Sequence, residues 1–356
     1  MLLRQAAALV LGAALAAIAS CGFCEEPSDP ALASALKRLK EGDVEARHNA
    51  ALDICNMGAK AAPAAGKLIE ALDDPEVRVR RTVLRAIALI GPAAKDGVPK
   101  LHGLLKDAGQ DVTVRAGAAF ALGMMKDDGA VAVGDLAEAA KSGDVNLRQA
   151  AIRALGEIGP KAAPAVPVIT RALSDGNDLV SRQAVVALGD IGPAAAPAAG
   201  ELMKKLEGAD DRAVKSVGIA LGKLGPDAAA AMLAALAKGS ETARAGSALG
   251  LGGVTPAKDE YAEALARALA DESILVRQCA VMGLERMGPA AKPAVGALRK
   301  ALSDADGEVR WRSVSALGGI GPGAKDALEE LSKLAESTDE RLARSARRAI
   351  GSIQKE

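Results

Sequence analysis

The chain is predicted to be all-α, a right-handed α-solenoid of about ten antiparallel helix pairs, and three observations support this. The first is a period near 33 residues, which indicates stacked supersecondary units. The second is an apolar spacing typical of helices, and the third is a recurrent helix-ending Gly-Pro. The period is opened by Val79-Arg80, Val114-Arg115, Leu147-Arg148, Val276-Arg277 and Val309-Arg310, each followed by Ala-Leu-Gly or a close variant.

Aligning these arginines defines one arginine position in each of ten repeats. The positions are Arg47, Arg80, Arg115, Arg148, Ser181, Val214, Thr242, Arg277, Arg310 and Ala343, with steps of 28 to 35 residues. Seven residues after each of them stands a leucine or an isoleucine. Apolar residues one before and three, six, seven and ten after the arginine position lie on one stripe of a 3.6-residue helix. This stripe predicts the second helix of each pair.

Signals at both ends of the second helix support this prediction. Four residues before the arginine position there is usually Asp, Asn or Ser, as at Asp144, whose side chain can accept the free N–H groups of the first turn. Six repeats end the helix with Gly-Pro, as at Gly159-Pro160, where glycine supplies a left-handed exit and proline prevents continuation. An alanine-rich helix follows, such as Lys161 to Leu173, and is predicted to be the first helix of the next pair.

The run from Leu147 to Pro160, with Ala154-Leu155-Gly156 at its centre, resembles the second helix of a HEAT repeat. It is of the short variety similar to that in phycobiliprotein lyases. The resemblance recurs ten times and covers almost all of the chain after residue 30. It implies an armadillo-like superhelix that serves as a protein-binding scaffold, with the second helices on the concave face. We therefore expect one solenoid over residues 25–356, although the sixth and seventh repeats depart from the pattern.

The N-terminus is predicted to be a separate export element, residues 1–24. Twenty uncharged residues follow Arg4, and residues 6–19 are typical of the apolar core of a signal. Ile18-Ala19-Ser20-Cys21 resembles a bacterial lipoprotein box, which implies lipidation of Cys21. Cleavage elsewhere or retention as an uncleaved anchor stays open. We expect an exported bacterial protein that is periplasmic, an outer-membrane lipoprotein or secreted, with membrane contact only through an N-terminal lipid or anchor.

The side chains that could carry chemistry give no support for an enzyme. His48 and His102 lie in different repeats without a third ligand in register, and both are expected to be solvated surface histidines. Cys55 and Cys279 are expected to be core thiols too far apart for a disulfide. Gly250-Leu251-Gly252-Gly253 lacks the strand and the lysine of a phosphate loop. The sequence therefore predicts no catalytic residue, no metal and no cofactor.

Positions one, five and nine after each arginine position are predicted to form the exposed ridge of the second helices. Nine of these thirty positions are basic and only Glu157 and Asp190 are acidic, so we expect a ridge about seven charges positive on a chain of net charge zero. Large apolar residues lie between the basic ones. The predicted partner-binding residues are Arg81, Arg85, Phe120, Met124, Arg153, Arg182, Val186, Lys215, Ile219, Lys223, Met282, Arg286 and Trp311.

Such a ridge suits a protein partner or an acidic peptide segment, because charge steers the encounter and buried anchors hold the complex. A solvated basic face with scattered apolar residues is the alternative interpretation. We predict a non-enzymatic exported scaffold; the alternative is a protein similar to phycobiliprotein lyases, or a lyase chaperone, which the export signal disfavours. Nucleic acid is not expected as a partner because the net charge is zero.

Three further features are expected to have structural roles. The arginines at the arginine position should form a ladder between adjacent pairs. Glycines cluster between Gly239 and Gly253, where the step falls to 28 and recovers to 35 residues, and we expect the weakest link of the stack there. The last pair should be a polar cap, since Arg347 stands where other repeats have Ile152 or Val314.

Overall fold

The computed structural model describes residues 29–355, and every regular element in this range is a helix. Twenty α-helices in these residues form ten pairs, so the predicted all-α fold of paired helices is confirmed. The described residues separate into two compact blocks, one ending at Ile90 and the other beginning at Gly91. The single solenoid over residues 25–356 stays a prediction. The predictions for residues 1–24, including Cys21, lie outside the described residues.

The first block contains pairs 1 and 2. Its helices are α1 (Pro30–Glu41), α2 (Val44–Met57), α3 (Ala65–Glu70) and α4 (Val77–Ile90). The second helices of the two pairs, α2 and α4, pack side by side. Their predicted apolar stripe is buried, and Ile54 and Ile87, seven residues after the arginine position, are fully inaccessible to solvent.

The second block contains pairs 3 to 10. Its first helices are α5 (Val98–Lys106), α7 (Val133–Ala139), α9 (Val166–Ala172), α11 (Ala199–Lys204), α13 (Ala229–Lys238), α15 (Asp259–Ala268), α17 (Val295–Ala301) and α19 (Leu328–Leu334). Its second helices are α6 (Val112–Met124), α8 (Val145–Ile158), α10 (Asp178–Ile191), α12 (Asp211–Lys223), α14 (Glu241–Leu251), α16 (Ile274–Met287), α18 (Gly307–Ile320) and α20 (Glu340–Ile353). Successive second helices contact each other more extensively than successive first helices do. We call the surface formed by the second helices of this block its inner face; that it is concave stays a prediction.

The first helices are shorter than the sequence predicts. Where a helix from Lys161 to Leu173 is expected, a 3-10 helix covers Gly159–Ala165 and the α-helix begins only at Val166. Pro164 lies inside the 3-10 helix. A proline has no N–H to donate and favours a tight turn over a regular α-helix at this point. The 3-10 helices Gly58–Ala64, Gly192–Ala198 and Gly288–Ala294 repeat the arrangement, each with one internal proline.

In the second helix of the seventh pair, the arginine position lies two residues later than predicted. The hydroxyl of Ser240 caps α14 by accepting the N–H of Ala243 at 3.3 Å. Arg244, four residues after this cap, takes the place that the sequence alignment gave to Thr242. The steps around this pair are then 244 − 214 = 30 and 277 − 244 = 33 residues. The alignment was wrong because Leu249 was placed seven residues after the arginine position, where Leu251 belongs.

The second helices end as predicted at glycines with positive φ. Gly159 has φ 73° and ψ −139°, and Gly192 has φ 76° and ψ −142°. With ψ near −140° this is close to a region that is essentially restricted to glycine, not the left-handed helical conformation that we predicted. After α6 the corresponding residue is Lys126, at φ 54°. Lys126 therefore adopts a backbone conformation that L-residues avoid.

Candidate functional site

The candidate site is the inner face of the second block, to which each second helix contributes one stripe. Residues two before and one, five and nine after the arginine position share this stripe, because steps of three and four residues stay on one side of a helix. On α10 the stripe is Leu179, Arg182, Val186 and Asp190, and on α12 it is Arg212, Lys215, Ile219 and Lys223.

An arginine–aspartate ladder holds successive pairs in register next to this face. The Nε and Nη2 of Arg148 donate to the two carboxylate oxygens of Asp175 in the next pair, at 2.9 and 3.0 Å. The same two-fold contact joins Arg244 to Asp271 and Arg277 to Asp304, and Arg47 to Asp74 in the first block. All eight side chains are at most 19% exposed. The predicted ladder is therefore confirmed for Arg47, Arg148 and Arg277, whereas Arg115 and Arg310 donate to carbonyl oxygens within their own pair.

The ladder lowers the pKa of its carboxyl groups. The side-chain hydrogen bond from Arg148 is the largest cause of the lowered pKa of Asp175, and it outweighs the opposing effect of burial. For Asp271, burial alone would raise the pKa, but hydrogen bonds from Arg244 and from the N–H of Ser273 bring it below its ordinary value. Both groups are therefore carboxylates at neutral pH.

The Ala-Leu-Gly motif sets the distance between neighbouring second helices. The glycine of one pair faces the alanine of the next, so that a Cβ placed on Gly123 would lie 2.6 Å from the Cα of Ala154. Gly189 faces Ala220 in the same way, at 3.0 Å. Any side chain at these glycines would have to push the helices apart.

Pair 7 divides the inner face of the second block into two surfaces. Its stripe positions Ala245 and Leu249 are fully buried, as is Leu251, which the sequence analysis placed on the exposed ridge. In this pair glycine also replaces the motif alanine, and a Cβ on Gly252 would collide with the backbone of Gly283. Around this glycine cluster the second helices approach each other closely, while its role as the weakest link of the stack stays a prediction. Glycines here make room for backbone contact, and the surrounding side chains close over α14.

On the N-terminal side of pair 7, apolar and basic side chains share one surface. Leu179, Val186 and Ile219 are 54%, 43% and 37% exposed. The guanidinium of Arg153 lies over the ring of Phe120, 4.7 Å from its centroid. We define the central patch as the stripe residues Phe120, Met124, Arg153, Leu179, Arg182, Val186, Arg212, Lys215, Ile219 and Lys223.

Ion pairs hold three of the five cations of the central patch. Arg182 pairs with Asp178 at 2.7 Å, and Lys223 pairs with Asp190 at 2.8 Å. Arg153 lies 4.0 Å from Glu157, which Lys126 also contacts. The predicted excess of seven positive charges along the ridge already counts Glu157 and Asp190, so the pairs with these two residues leave that net charge unchanged. Lys215 and Arg212 form no ion pair within residues 29–355.

Leu179 and Arg212 were missed by the sequence analysis. Both lie two residues before the arginine position, in the first turn of the helix. The signal was present, because each is three residues before a predicted ridge position and so continues its stripe. They add an exposed apolar side chain and a cation to the central patch.

The remaining predicted residues lie elsewhere. Beyond pair 7, Arg286 is exposed, while Met282 and Trp311 are half-buried. The Trp311 ring is flanked by the guanidinium groups of Arg312 and Arg341, 5.3 and 4.1 Å from its centroid. In the first block, Arg81 and Arg85 are exposed on α4. An open cleft of about 1020 Å³ in the first block lies between α1 and the segment from Pro63 to Pro75, and none of the predicted residues lines it.

The two histidines are not the solvated side chains that we expected. His48 Nδ1 lies 3.3 Å from the hydroxyl of Thr82, and His102 Nε2 lies 2.6 Å from a carboxylate oxygen of Asp135. Each contact joins two successive pairs, which explains why both rings are partly buried. Within residues 29–355 no group of three His, Cys, Asp or Glu side chains is placed to hold a metal ion.

Cys55 and Cys279 are buried free thiols, as predicted. Burial raises the pKa of the Cys279 thiol to about 11, and the charge of Lys215, two pairs earlier in the chain, opposes this shift. In the described part of the chain, no helix combines the length and the apolar character needed to span a bilayer.

Comparisons with known proteins agree with this architecture. A family model for HEAT repeats matches residues 65–133, 133–218 and 261–351, more than half of the chain. The crystal structure of an engineered protein is similar, with a TM-score of 0.52 and 24% identity over 92% of this chain and 100% of that chain. A comparison with curated protein sequences finds no match.

Two importin-β structures are also similar. Yeast importin-β (Kap95p) matches with a TM-score of 0.61 and 12% identity, covering 93% of this chain and 54% of that chain. A structure described as Kap95p binding that induces the switch loops of RanGDP to adopt the GTP-bound conformation has a TM-score of 0.58, 12% identity and the same coverage. This chain spans about half the length of these proteins, and identities this low show the fold alone. The finer resemblance to phycobiliprotein lyases is not tested by these matches.

Proposed function

The chain belongs to the HEAT-repeat family, and on this premise we propose that it is a non-enzymatic scaffold whose central patch binds a protein partner. The observation that carries the proposal is the exposure of Leu179, Val186 and Ile219 on the inner face of the second block. Exposed apolar groups that are contiguous and rimmed by polar residues mark interaction sites on soluble proteins.

The arrangement of the central patch matches the anatomy of a protein interface. Leu179 and Val186 are seven residues apart on one stripe of α10, and Ile219 lies on the neighbouring helix α12. Arg182 lies between the two α10 side chains, so the apolar groups are bordered by cations. Apolar anchors at the centre with a charged border give affinity from burial and orientation from charge.

The charge of the central patch favours an acidic segment of the partner. Arg212 and Lys215 precede Ile219 by seven and four residues on the same stripe, and neither is neutralised by an ion pair within the described residues. A carboxylate near Ile219 would meet both cations and would also be steered toward the patch. Kap95p, a protein of similar fold, binds RanGDP, which supports protein binding as a use of this architecture.

Crosslinking from defined positions tests this proposal and captures the partner in the same step. A photoreactive amino acid at Val186 should give discrete protein adducts in intact cells. The matched control is Val131, which is 66% exposed but lies in the 3-10 segment before α7, away from the second helices. Adducts at Val186 that disappear with Arg212→Glu/Lys215→Glu support the proposal. Equal adducts at both positions, or none at Val186, refute it.

We also propose that residues 1–24 export the chain and that Cys21 is its lipidation site. The support is the uncharged stretch after Arg4 and the Ile18-Ala19-Ser20-Cys21 sequence. Mass spectrometry of the protein from a membrane fraction should find an N-terminal Cys21 carrying lipid, which Cys21→Ser abolishes. An unmodified N-terminus elsewhere would overturn the lipidation, and an intact residue 1 in the cytosol would overturn export.

A further inference from the structure

One side of α20 carries a notch that no described residue fills. Gly351 of α20 occupies the glycine place of the Ala-Leu-Gly motif. In earlier pairs, such as those of Gly156 and Gly189, the backbone of the next second helix fills the space beside this glycine. Gly351 is exposed, and nothing lies within 4 Å of a Cβ built on it. The helix therefore offers to solvent the same contact surface by which the other second helices pack.

Three arginines surround this notch. Arg344, Arg347 and Arg348 precede Gly351 by seven, four and three residues, so helical geometry places all three on its side of α20. All three are exposed. Arg347 donates to the carbonyl oxygen of Ala335 at 2.8 Å, whereas Arg344 and Arg348 form no ion pair within residues 29–355.

The charge distinguishes this end from an internal joint between pairs. Ile152 and Val314, which correspond to Arg347 in pairs 4 and 9, are fully buried between second helices. An apolar helix would therefore leave the guanidinium of Arg347 desolvated without a counter-charge, which is costly. A helix that brings carboxylates would satisfy it with charge-assisted hydrogen bonds.

We propose that this end face, defined as Arg344, Arg347, Arg348 and Gly351, docks an acidic α-helix of a protein partner. A small residue of that helix lies on Gly351, as the motif alanine does in the internal joints, and its acidic side chains contact the three arginines. An anionic lipid surface fits less well, because the apolar side of α20, including Leu342 and Ile353, is buried and leaves no group to insert into a membrane. The site does not involve the central patch, so neither proposal depends on the other.

The test uses the chain from residue 25 onward and a fluorescent alanine-rich helical peptide with glutamates three, four and seven residues apart. Its counterpart carries glutamine at the same places. Fluorescence anisotropy should show salt-sensitive binding of the glutamate peptide only. Arg344→Glu/Arg348→Glu and Gly351→Leu should each weaken it about tenfold or more.

Gly351→Leu tests the contribution of the notch separately from that of the arginine charges, because it fills the space and leaves all three arginines in place. Its matched control is Gly296→Leu, at another exposed helical glycine with nothing within 4 Å of its Cβ, and this variant should bind like the wild type. Circular dichroism melts check that all variants are folded. Unchanged binding by Gly351→Leu, or no binding of the glutamate peptide, overturns the proposal. Self-association that Gly351→Leu abolishes also overturns it, because the end face would then serve a second copy of the chain.

Discussion

Gly156 of α8 packs directly on the backbone of Ala187 in α10: a Cβ placed on Gly156 would lie 2.8 Å from the Cα of Ala187 and 3.0 Å from its Cβ. This contact explains the recurrence of Ala-Leu-Gly in the chain. The leucine packs in the core of its own pair. The glycine contacts the motif alanine of the next pair, and the alanine contacts the motif glycine of the previous pair. The motif therefore determines how closely pairs stack as well as the period of the repeat.

Gly156→Ala should destabilise the protein by about 1–3 kcal/mol, because the added methyl group has no space and neighbouring helices must shift. Gly351→Ala is the matched control, since this glycine has the same motif position but no described residue lies within 4 Å of a Cβ built on it. There the higher helix propensity of alanine should stabilise by about 0.5–1 kcal/mol. Urea denaturation followed by circular dichroism measures both changes. Shifts of the same sign would contradict the assigned contact.

The helices could be predicted from the sequence because most second helices carry their own apolar stripe, cap and terminating glycine. The contacts between pairs could not, and the errors lie there. Leu249 and Leu251 are both fully buried, so burial of a leucine alone did not decide the register of pair 7. Gly250 and Gly252 flank Leu251 at the alanine and glycine places of the Ala-Leu-Gly motif. They identify the register only once the packing role of these two places is known.

The candidate site divides in the same way. The exposure of Val186 and Ile219 follows from helical periodicity and was predicted. The closure of pair 7 depends on the contact of Gly252 with Gly283, and periodicity contains no information on it. The pairing of Lys223 with Asp190 also crosses between two pairs, so periodicity did not show which cations of the ridge are ion-paired.

Arg148→Ala should destabilise the protein by about 1–3 kcal/mol, because the mostly buried carboxylate of Asp175 loses both hydrogen bonds from Arg148 and keeps only that from the N–H of Asn177. Arg182→Ala is the matched control. It removes an exposed arginine whose pair with Asp178 lies within one helix, and the loss should stay within about 0.5 kcal/mol. Chemical denaturation of both variants gives the comparison. Equal losses would mean that the ladder contributes no more than a surface ion pair.

The lowered pKa of Asp175 predicts a loss of stability in acid. A carboxyl group whose pKa is lower in the folded state contributes its full stabilisation above the unfolded value of about 3.9. This contribution is lost as the pH falls through the folded pKa. The wild type should therefore lose more stability between neutral pH and about pH 3 than Asp175→Asn, which cannot titrate there. Urea midpoints across this range test the prediction, and parallel profiles would contradict it.

Lys126→Gly should stabilise the protein by about 1 kcal/mol, because φ at this residue is 54° and glycine adopts positive φ without steric cost. The substitution also removes the contact of Lys126 with Glu157, an exposed pair of small value. Lys126→Ala controls for that loss, since it keeps the strained backbone. The melting temperature should rise for Lys126→Gly and should not rise for Lys126→Ala. A rise in both would assign the effect to the side chain.

Ser247→Ala should stabilise α14, whereas Ser313→Ala should not stabilise α18. Both serines are fully buried and stand three residues after the arginine position of their helix. Ser313 donates its hydroxyl to the carbonyl oxygen of Val309 at 2.8 Å, while the hydroxyl of Ser247 has no partner among the described residues. A buried hydroxyl without a hydrogen bond costs about 1–3 kcal/mol, which alanine would remove. Calorimetric unfolding of the two variants compares them directly. An increase for Ser247→Ala alone would show that a polar group, and not the glycines beside it, limits the stability of pair 7.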